Sequence, residues 1–207
     1  SIAECTVAGF PARLFRISFT GELGFEVNVP ARYGRALWEA LWEAGQQYDI
    51  CPYGTETMHV LRAEKGYIVV GQETDGTATP DDVGLGWAIA RTKPDFVGKR
   101  SLACPAMRAA DRKQLVGLLT EEPSFLLEEG AQILAAPGAN VPLRSLGHVT
   151  SAYHSANLGR TIALAMLAGG RERIGQRLTV STRAEPVPVT VTSPVFYDLE
   201  GARLDAA

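Results

Sequence analysis

The sequence predicts an α+β module followed by a small all-β domain. In the first half, segments with strand character and segments with helix character alternate, whereas six short β-type segments follow one another after residue 112. A polar, alanine-rich stretch, Ala103–Asp111, lies between the two halves. We therefore expect two domains, residues 1–103 and residues 112–207, with a small barrel or a sandwich as the second.

Two segments near the N-terminus predict a β-hairpin. Leu14–Thr20 is rich in β-branched and aromatic residues, and Gly24–Val29 alternates between apolar and polar residues. The glycine-flanked residues Gly21–Gly24 predict the turn between them. Because side chains alternate along a strand, we expect Glu26 and Asn28 to share the polar face.

Two helices follow in the predicted order. Ala31–Ala44 carries an apolar stripe that includes two tryptophans, Trp38 and Trp42, and Gly45 is placed to end it. We expect both tryptophans in the core. The second helix is predicted over Thr55–Lys65, where Gly66 would terminate it, and beyond it we expect a buried strand at Tyr67–Gly71 and an extended segment at Gly84–Ala90.

The second half has the spacing of an all-β domain. Glycine, proline and asparagine separate short segments that are rich in apolar and β-branched residues. We expect strands at Gln114–Thr120, Gln132–Ala135, Leu146–Ala152, Thr161–Leu167, Arg177–Thr182 and Val187–Thr192.

Composition excludes several classes of protein. With 207 residues, 46% hydrophobic and 21% charged, the chain is neither disordered nor fibrous. A net charge of −3 without a basic stripe argues against nucleic acid as a partner, and no apolar run is long enough to span a membrane. The sequence begins with Ser1 rather than Met, and residues 1–9 lack the pattern of a signal peptide, so we expect part of a longer protein. An odd number of cysteines without C-x-x-C spacing, at Cys5, Cys51 and Cys104, predicts reduced thiols in a cytoplasmic protein.

The histidines do not predict a catalytic or metal centre. His148 and His154 have the even spacing of residues on one strand face, but six strand residues separate them by about 20 Å, too far for two ligands of one metal. We expect these two, and His59, to be structural or surface residues. Asp81 and Asp82 form a like-charge pair that would share a proton or, as we favour, open a turn after Thr79-Pro80.

The hairpin carries the most suggestive polar groups. Glu22 and Glu26 lie in the run Thr20-Gly21-Glu22-Leu23-Gly24-Phe25-Glu26, where glycines allow a ligand to approach the backbone closely. A carboxylate on a strand face accepts two parallel N–H donors, the edge that pterins, guanines and arginine present. On spacing alone, a solvated turn with surface acids is the alternative.

Four blocks of residues lie in order along the chain. They are Thr20-Gly21-Glu22-Leu23-Gly24-Phe25-Glu26, Leu61-Arg62-Ala63-Glu64-Lys65-Gly66, Thr79-Pro80-Asp81-Asp82-Val83-Gly84-Leu85-Gly86-Trp87 and Phe96-Val97-Gly98-Lys99-Arg100-Ser101-Leu102. In order and spacing they resemble the blocks of the glycine-cleavage T-protein (aminomethyltransferase) family.

Three further segments resemble one branch of that family. They are Pro52–Glu56, Met58–Gly66 and Thr192–Asp198. By these segments the chain looks closest to the C-terminal part of the alpha subunits of heterotetrameric sarcosine oxidases, a resemblance that covers essentially its whole length.

The resemblance implies a fold and an activity. The fold is a ferredoxin-like folate-binding module, here a partial T-protein fold, followed by a C-terminal β-barrel. The activity is the oxidation of sarcosine, in which tetrahydrofolate captures the one-carbon unit as methylene-tetrahydrofolate and glycine and hydrogen peroxide are left. FAD, FMN and NAD would be bound elsewhere in the complex, whose other subunits are the expected partners.

The resemblance also implies which residues contact folate. The glutamate that binds the pterin ring in relatives corresponds to Glu26, and Tyr197 is a candidate for the C-terminal aromatic contact. Met58 stands where the T-protein itself has an arginine that contacts folate. The family's catalytic aspartate precedes the region present here, so we expect no catalytic residue, no metal ligand and no activity from this chain alone.

Three other functions remain open at this stage. Within the family, the alternatives are an aminomethyltransferase and a demethylase of the dimethylglycine-dehydrogenase type. From another class, the alternative is a noncatalytic folate-fold module used in assembly. Relatives of that class carry a Lys-Gly-Cys-Tyr motif, whereas Lys65-Gly66-Tyr67 has no cysteine, which argues against that function.

Overall fold

The computed structural model describes residues 1–135 and 143–205. The chain divides into two compact units, Ser1–Leu61 with Asp198–Ala207, and Arg62–Tyr197. The helices are α1 (Gly34–Gly45), α2 (Thr55–Glu64), which spans the division, and α3 (Lys99–Ala103). The strands are β1 (Ile2–Val7), β2 (Phe10–Phe15), β3 (Glu26–Asn28), β4 (Lys113–Thr120), β5 (Gln132–Leu134), β6 (Ser145–Ser155), β7 (Arg160–Ala168), β8 (Arg177–Val180) and β9 (Val187–Thr192).

The first unit contains a three-stranded antiparallel sheet in the order β1-β2-β3. The predicted pairing between the two arms of the hairpin is present only in part. Of the arm predicted at Leu14–Thr20, only Leu14 and Phe15 lie in a strand, opposite Val27 and Glu26. The tight turn at Gly21–Gly24 is wrong, because β2 ends at Phe15 and ten residues connect it to β3. Strand β1, which the sequence did not predict, pairs with β2 along its whole length.

The connection between β2 and β3 is held by the C-terminal segment. Arg203 forms an ion pair with Glu22 at 2.7 Å, and its carbonyl accepts a hydrogen bond from the Leu23 amide at 2.9 Å. Arg16 pairs with Asp205 at 2.9 Å. The conformation of this long loop therefore depends on residues more than 180 positions away in the chain.

Helix α1 differs from its prediction in burial and in its end. Leu37 is buried, but Trp38 and Trp42 are 62% and 39% exposed, so their placement in the core is wrong. Periodicity identified the apolar side of the helix but does not reveal whether another element covers it. Gly45 lies inside the last helical turn, and the left-handed residue that ends the segment is Asp49, with φ of 56°.

Helix α2 agrees closely with its prediction, whereas the segments after it do not. Gly66 adopts φ of +69° immediately beyond the helix, and the Tyr67 amide donates to the Arg62 carbonyl, which closes the last turn. The strand expected at Tyr67–Gly71 is absent, since Val70 is 85% exposed and forms one isolated bridge. The extended segment at Gly84–Ala90 is likewise wrong, because a short 3-10 turn occupies 86–88.

The second unit contains a closed six-stranded barrel, which confirms the predicted barrel. Its strands follow the order β4-β7-β6-β5-β8-β9, and all neighbours are antiparallel. Each observed strand overlaps the segment predicted for it. Inward-facing apolar side chains fill the interior, among them Val116, Leu118, Ile133, Val149, Ala165, Leu167, Val180, Val189 and Val191.

A second apolar cluster covers part of the outer surface of the barrel. Leu115, Leu164 and Met166 project from the outer faces of β4 and β7 and pack with Ala63 and Val83. Strand β7 is consequently buried on both faces, which explains its near-continuous apolar sequence.

A bulge in β6 changes which face its histidines occupy. The register against β7 shifts between Val149 and Ser151, so one extra residue is inserted in β6. Val149 contacts the barrel interior before the bulge and Ala152 does so after it. Strand alternation then places His148 on the outer face and His154 on the inner side at the end of the strand. The prediction that the two histidines share one face is wrong.

Candidate functional site

Glu26 lies at the start of β3, directly opposite Phe15 on β2. Residues opposite each other in an antiparallel pair project to the same side of a sheet. Arg13 and Asn28 form a pair two residues further along these strands, so their side chains lie on the same face as Glu26. Glu26 is exposed, and no residue in 1–135 or 143–205 donates a hydrogen bond to its carboxylate.

An open cavity of about 520 Å³ is lined by residues of the β1-β2-β3 sheet. Glu26 is not one of them, but Phe15, which lies opposite Glu26, is. Four of its lining residues, Glu4, Arg13, Phe15 and Asn28, share the face of Glu26. Arg13 pairs with Glu4 at 3.3 Å, and both side chains are largely exposed. The surface thus combines an aromatic ring, a neutralised charge pair and an unpaired carboxylate, which suits a flat ligand with N–H donors on one edge.

The other carboxylate of this region has a different role. Glu22 is engaged by Arg203 through a 2.7 Å ion pair and is less than one-third exposed. Glu22 therefore fixes the loop, whereas Glu26 is available to a ligand. The sequence placed both acids in one motif and did not distinguish them.

Tyr197 is half-buried near the end of the second unit. The ammonium of Lys65 lies 5.2 Å from the centre of its ring, and its backbone amide donates to the Glu64 carbonyl at 3.0 Å. Glu26 and Tyr197 belong to different units of the chain. The cation–π contact with Lys65 fixes the ring of Tyr197. Its contact with a ligand stays a prediction.

The Leu-Arg-Ala-Glu block forms a buried polar network that sequence reasoning did not anticipate. The Arg62 guanidinium donates to the carboxylate of Glu73 at 3.0 Å, to the hydroxyl of Ser151 at 2.8 Å and to the carbonyl of Tyr67 at 3.0 Å. Ser151 in turn donates to the other oxygen of Glu73 at 2.5 Å. The ion-paired side chains are at most 1% exposed, so this network attaches α2 to the barrel.

Glu64 performs the same task two residues later. Its carboxylate accepts hydrogen bonds from the Ser155 hydroxyl at 2.6 Å and from the Asn157 amide at 2.7 Å. One feature of the sequence could have indicated this network. Arg62 and Glu64 flank Ala63 near the end of the helix, and all three residues are buried. These residues position structural elements and leave no group available for catalysis.

Asp81 and Asp82 do not share a proton, since they face different arginines. Arg91 binds Asp81, whereas Arg112 binds both oxygens of Asp82, at 3.0 and 3.1 Å from its Nε. Burial raises the pKa of Asp82, but hydrogen bonds from Arg112 and Thr79 outweigh it and leave that pKa below the ordinary value. Asp82 also accepts the Thr79 amide at 2.7 Å, and its own amide donates to the Thr79 carbonyl at 3.0 Å. The pair therefore lies in a turn, as favoured, but Thr79 begins this turn and Asp82 closes it.

The remaining candidates form no reactive centre. His59 is half-buried on α2 and makes an edge-on contact with the ring of Phe19, at 5.9 Å between centroids. Among residues 1–135 and 143–205, no group of three or more metal-binding side chains comes together. Within the same residues, no helix has both the length and the apolar character that crossing a membrane requires.

Comparison with known proteins assigns the two halves to one family. Residues 1–93 match the family model of the GCVT N-terminal domain, and residues 113–198 match that of the glycine cleavage T-protein C-terminal barrel domain. A solved structure of the glycine cleavage system aminomethyltransferase T from Bartonella henselae has the same fold, with a TM-score of 0.76 and 23% sequence identity. The alignment covers 89% of this chain and 49% of the chain of that structure.

Curated relatives are longer than this chain. A sarcosine oxidase subunit alpha from Corynebacterium sp. (strain U-96) is 48% identical over 202 residues, which cover 96% of this chain and 21% of the relative. An aminomethyltransferase from Saccharopolyspora erythraea is 36% identical over 192 residues, 92% of this chain and 50% of the relative. From the two successive family matches and these relatives, we conclude that the chain belongs to the glycine-cleavage T-protein family.

Proposed function

We propose that this chain contributes a tetrahydrofolate site to a larger sarcosine oxidase alpha subunit. The observation that carries the proposal is the unpaired Glu26 carboxylate, which shares one face of the β1-β2-β3 sheet with Phe15, a lining residue of the cavity of about 520 Å³. A pterin presents a ring N–H and a 2-amino group side by side, which matches the two oxygens of one carboxylate. The aromatic ring of Phe15, on the same face, suits the flat pterin.

The similarity to sarcosine oxidase subunits supports the reaction that we propose. It reaches 48% identity, against 36% for the aminomethyltransferase from Saccharopolyspora erythraea. In the larger protein, tetrahydrofolate would capture the one-carbon unit of oxidised sarcosine, leaving methylene-tetrahydrofolate, glycine and hydrogen peroxide. FAD, FMN and NAD supply the redox chemistry of such a complex, and we place them, together with the other subunits, outside these 207 residues.

The experiment that tests the site is a titration of folinic acid into the chain and into a Glu26→Gln variant. Gln keeps the size of the side chain and one acceptor but loses the charge, so we expect at least tenfold weaker binding. Glu39→Gln is the matched control, because Glu39 is an exposed acid whose partner, Arg35, lies on the same helix. Equal affinity in the Glu26→Gln variant and the original chain would overturn the assignment.

Tyr197 is tested separately. If its ring contacts folate, Tyr197→Phe keeps the affinity for folinic acid and Tyr197→Leu lowers it several-fold, since the ring and not the hydroxyl makes the contact. If Tyr197→Leu binds as tightly as the original chain, the ring is purely structural.

An aminomethyltransferase is the second candidate, favoured by the 36% identity that extends over half of such an enzyme. The two candidates differ in their products. Hydrogen peroxide that forms in proportion to sarcosine supports the first, whereas methylene-tetrahydrofolate that forms without peroxide supports the second. Both assays require the longer polypeptide, and both candidates propose the same role for Glu26.

A further inference from the structure

A second cavity, of about 420 Å³, lies within the second unit, between the loop 71–78 and the outer face of the barrel. Its floor is Met166 on β7, which pairs with Leu115 on one side and with His148 on the other. Lys113 precedes Leu115 by two residues and therefore projects from the same face. Lys113 and His148 thus flank the floor from opposite sides, and Asp75 enters from the loop.

Two of the charges around this cavity are already neutralised. Arg112 is held by Asp82 and by the carbonyls of Thr77 and Ala106. Glu73 is buried and bound by Arg62. Neither side chain is therefore available to compensate the charge of a ligand.

Asp75 retains an unused oxygen. All its hydrogen bonds go to Oδ1, which accepts the Thr77 amide at 2.7 Å, the Thr77 hydroxyl at 2.6 Å and the Ala78 amide at 3.1 Å. The Thr77 hydroxyl and amide lower the pKa of Asp75, which keeps it ionised. Among the residues that the structure describes, none binds Oδ2.

Lys113 and His148 complete the polar lining. The ammonium of Lys113 has no hydrogen-bond or ion-pair partner in residues 1–135 and 143–205. Burial, and secondarily the charge of Lys113, lowers the pKa of His148 and keeps its imidazole neutral near pH 7. The cavity therefore presents one carboxylate, one ammonium and one neutral imidazole that can donate or accept a hydrogen bond. The charge of Lys113 contributes to the lowered pKa of Asp75, but in the described part of the chain the two side chains form no direct ion pair, so each can still bind a ligand group.

We propose that this cavity binds a small zwitterion of the α-amino-acid class, with the ligand's ammonium on Asp75 and its carboxylate on Lys113. A simple anion would be repelled by Asp75, and a simple cation by Lys113, whereas a zwitterion satisfies both. The volume equals that of roughly 14 water molecules, which is room for one amino acid and a few ordered waters. The site involves neither Glu26 nor Tyr197 and is independent of the proposed folate site.

The experiment is an NMR titration of the labelled chain with glycine, acetate and methylamine as probes. We expect glycine to shift the amides of Thr77 and Lys113 and the ring signals of His148, with an affinity at least fivefold higher than that of either single ion. If acetate or methylamine binds as tightly as glycine, or if glycine shifts none of these signals, the proposal is wrong.

Two variants test the roles of the charges. Asp75→Asn keeps the Oδ1 acceptor, and with it the turn, but removes the charge, so it should weaken glycine at least fivefold and make acetate the preferred probe. Lys113→Gln should weaken glycine to the same extent and make methylamine the preferred probe. Glu185→Gln and Lys93→Gln, which change exposed side chains outside the cavity lining, are the controls and should bind glycine as the original chain does. Unchanged glycine affinity in both cavity variants would overturn the proposal.

Discussion

At the scale of single residues, charged side chains of this protein fall into two groups that the sequence does not separate. Arg62, Glu64 and Glu73 are buried and hydrogen-bonded, whereas Glu26 and Lys113 are exposed to solvent. The family resemblance predicted a special role for Glu26, but neither it nor the residue pattern revealed the buried network. Its partners, such as Ser151, lie nearly 90 residues away in the chain, and only the folded barrel brings them to α2.

The Arg62–Glu73 pair predicts a large loss of stability on truncation. Arg62→Met leaves the Glu73 carboxylate buried without its cation, so we expect the free energy of unfolding to fall by about 3–5 kcal/mol. Urea titration measures this change. The double variant Arg62→Met/Glu73→Leu should recover much of the loss, because neither charge remains buried.

Arg35→Met is the matched control for that experiment. Arg35 pairs with Glu39 one helical turn away, and the two side chains are 89% and 59% exposed. Removal of such a pair should change the free energy of unfolding by no more than about 0.5 kcal/mol. If Arg62→Met is as mild as Arg35→Met, the buried pair does not stabilise the second unit.

At the scale of elements, the barrel strands could be predicted from the sequence and the sheet of the first unit could be predicted only in part. Strands β4 and β6 to β9 are long or strongly apolar and are bounded by glycine, proline or asparagine, so pattern alone finds them. Strand β3 has only three residues, and β1 is mostly exposed, which leaves no apolar alternation to detect. The β6 bulge was also beyond prediction, because it is set by the packing of β6 against β7.

Gly147 tests how closely β6 and β7 approach each other. A Cβ at Gly147 would lie 2.9 Å from the Cα of Leu167 and still nearer the carbonyl oxygen of Met166, both backbone atoms that cannot turn aside. We expect Gly147→Ala to lower the free energy of unfolding by about 1–3 kcal/mol, measured by urea titration. Gly34→Ala, where nothing lies within 4 Å of the added carbon, should be neutral or stabilising. Equal effects of the two changes would contradict the close approach.

At the scale of the whole molecule, the lowered pKa values of His148 and of carboxylates such as Asp75 and Asp82 predict how stability depends on pH. His148 has a pKa below its ordinary 6.5, so the unfolded chain takes up its proton first and stability falls as the pH drops below 6.5. Asp82 has a pKa below its ordinary 3.8, so its contribution is present above 3.8 and is lost as the pH falls through the lowered value. We therefore expect the melting temperature to decline in two stages on acidification.

Melting curves of two variants separate these stages. His148→Gln should abolish the decline that begins near pH 6.5 and leave the lower one. Asp82→Asn should reduce stability at neutral pH and flatten the decline below pH 3.8, since the ion pair with Arg112 is then absent at every pH. A first stage that persists in His148→Gln would show that another group causes it.

The three-stranded sheet has edge strands and the closed barrel has none, so the two differ in whether another strand can pair with them. Every strand of the barrel has a neighbour on both sides, so the barrel has no free rim of backbone amides and carbonyls. In the described part of the chain, β1 and β3 each have a strand on one side only. Backbone groups on the outer sides of β1 and β3 can therefore pair with an added strand, so within the described residues we expect β-augmentation at this sheet and not at the barrel.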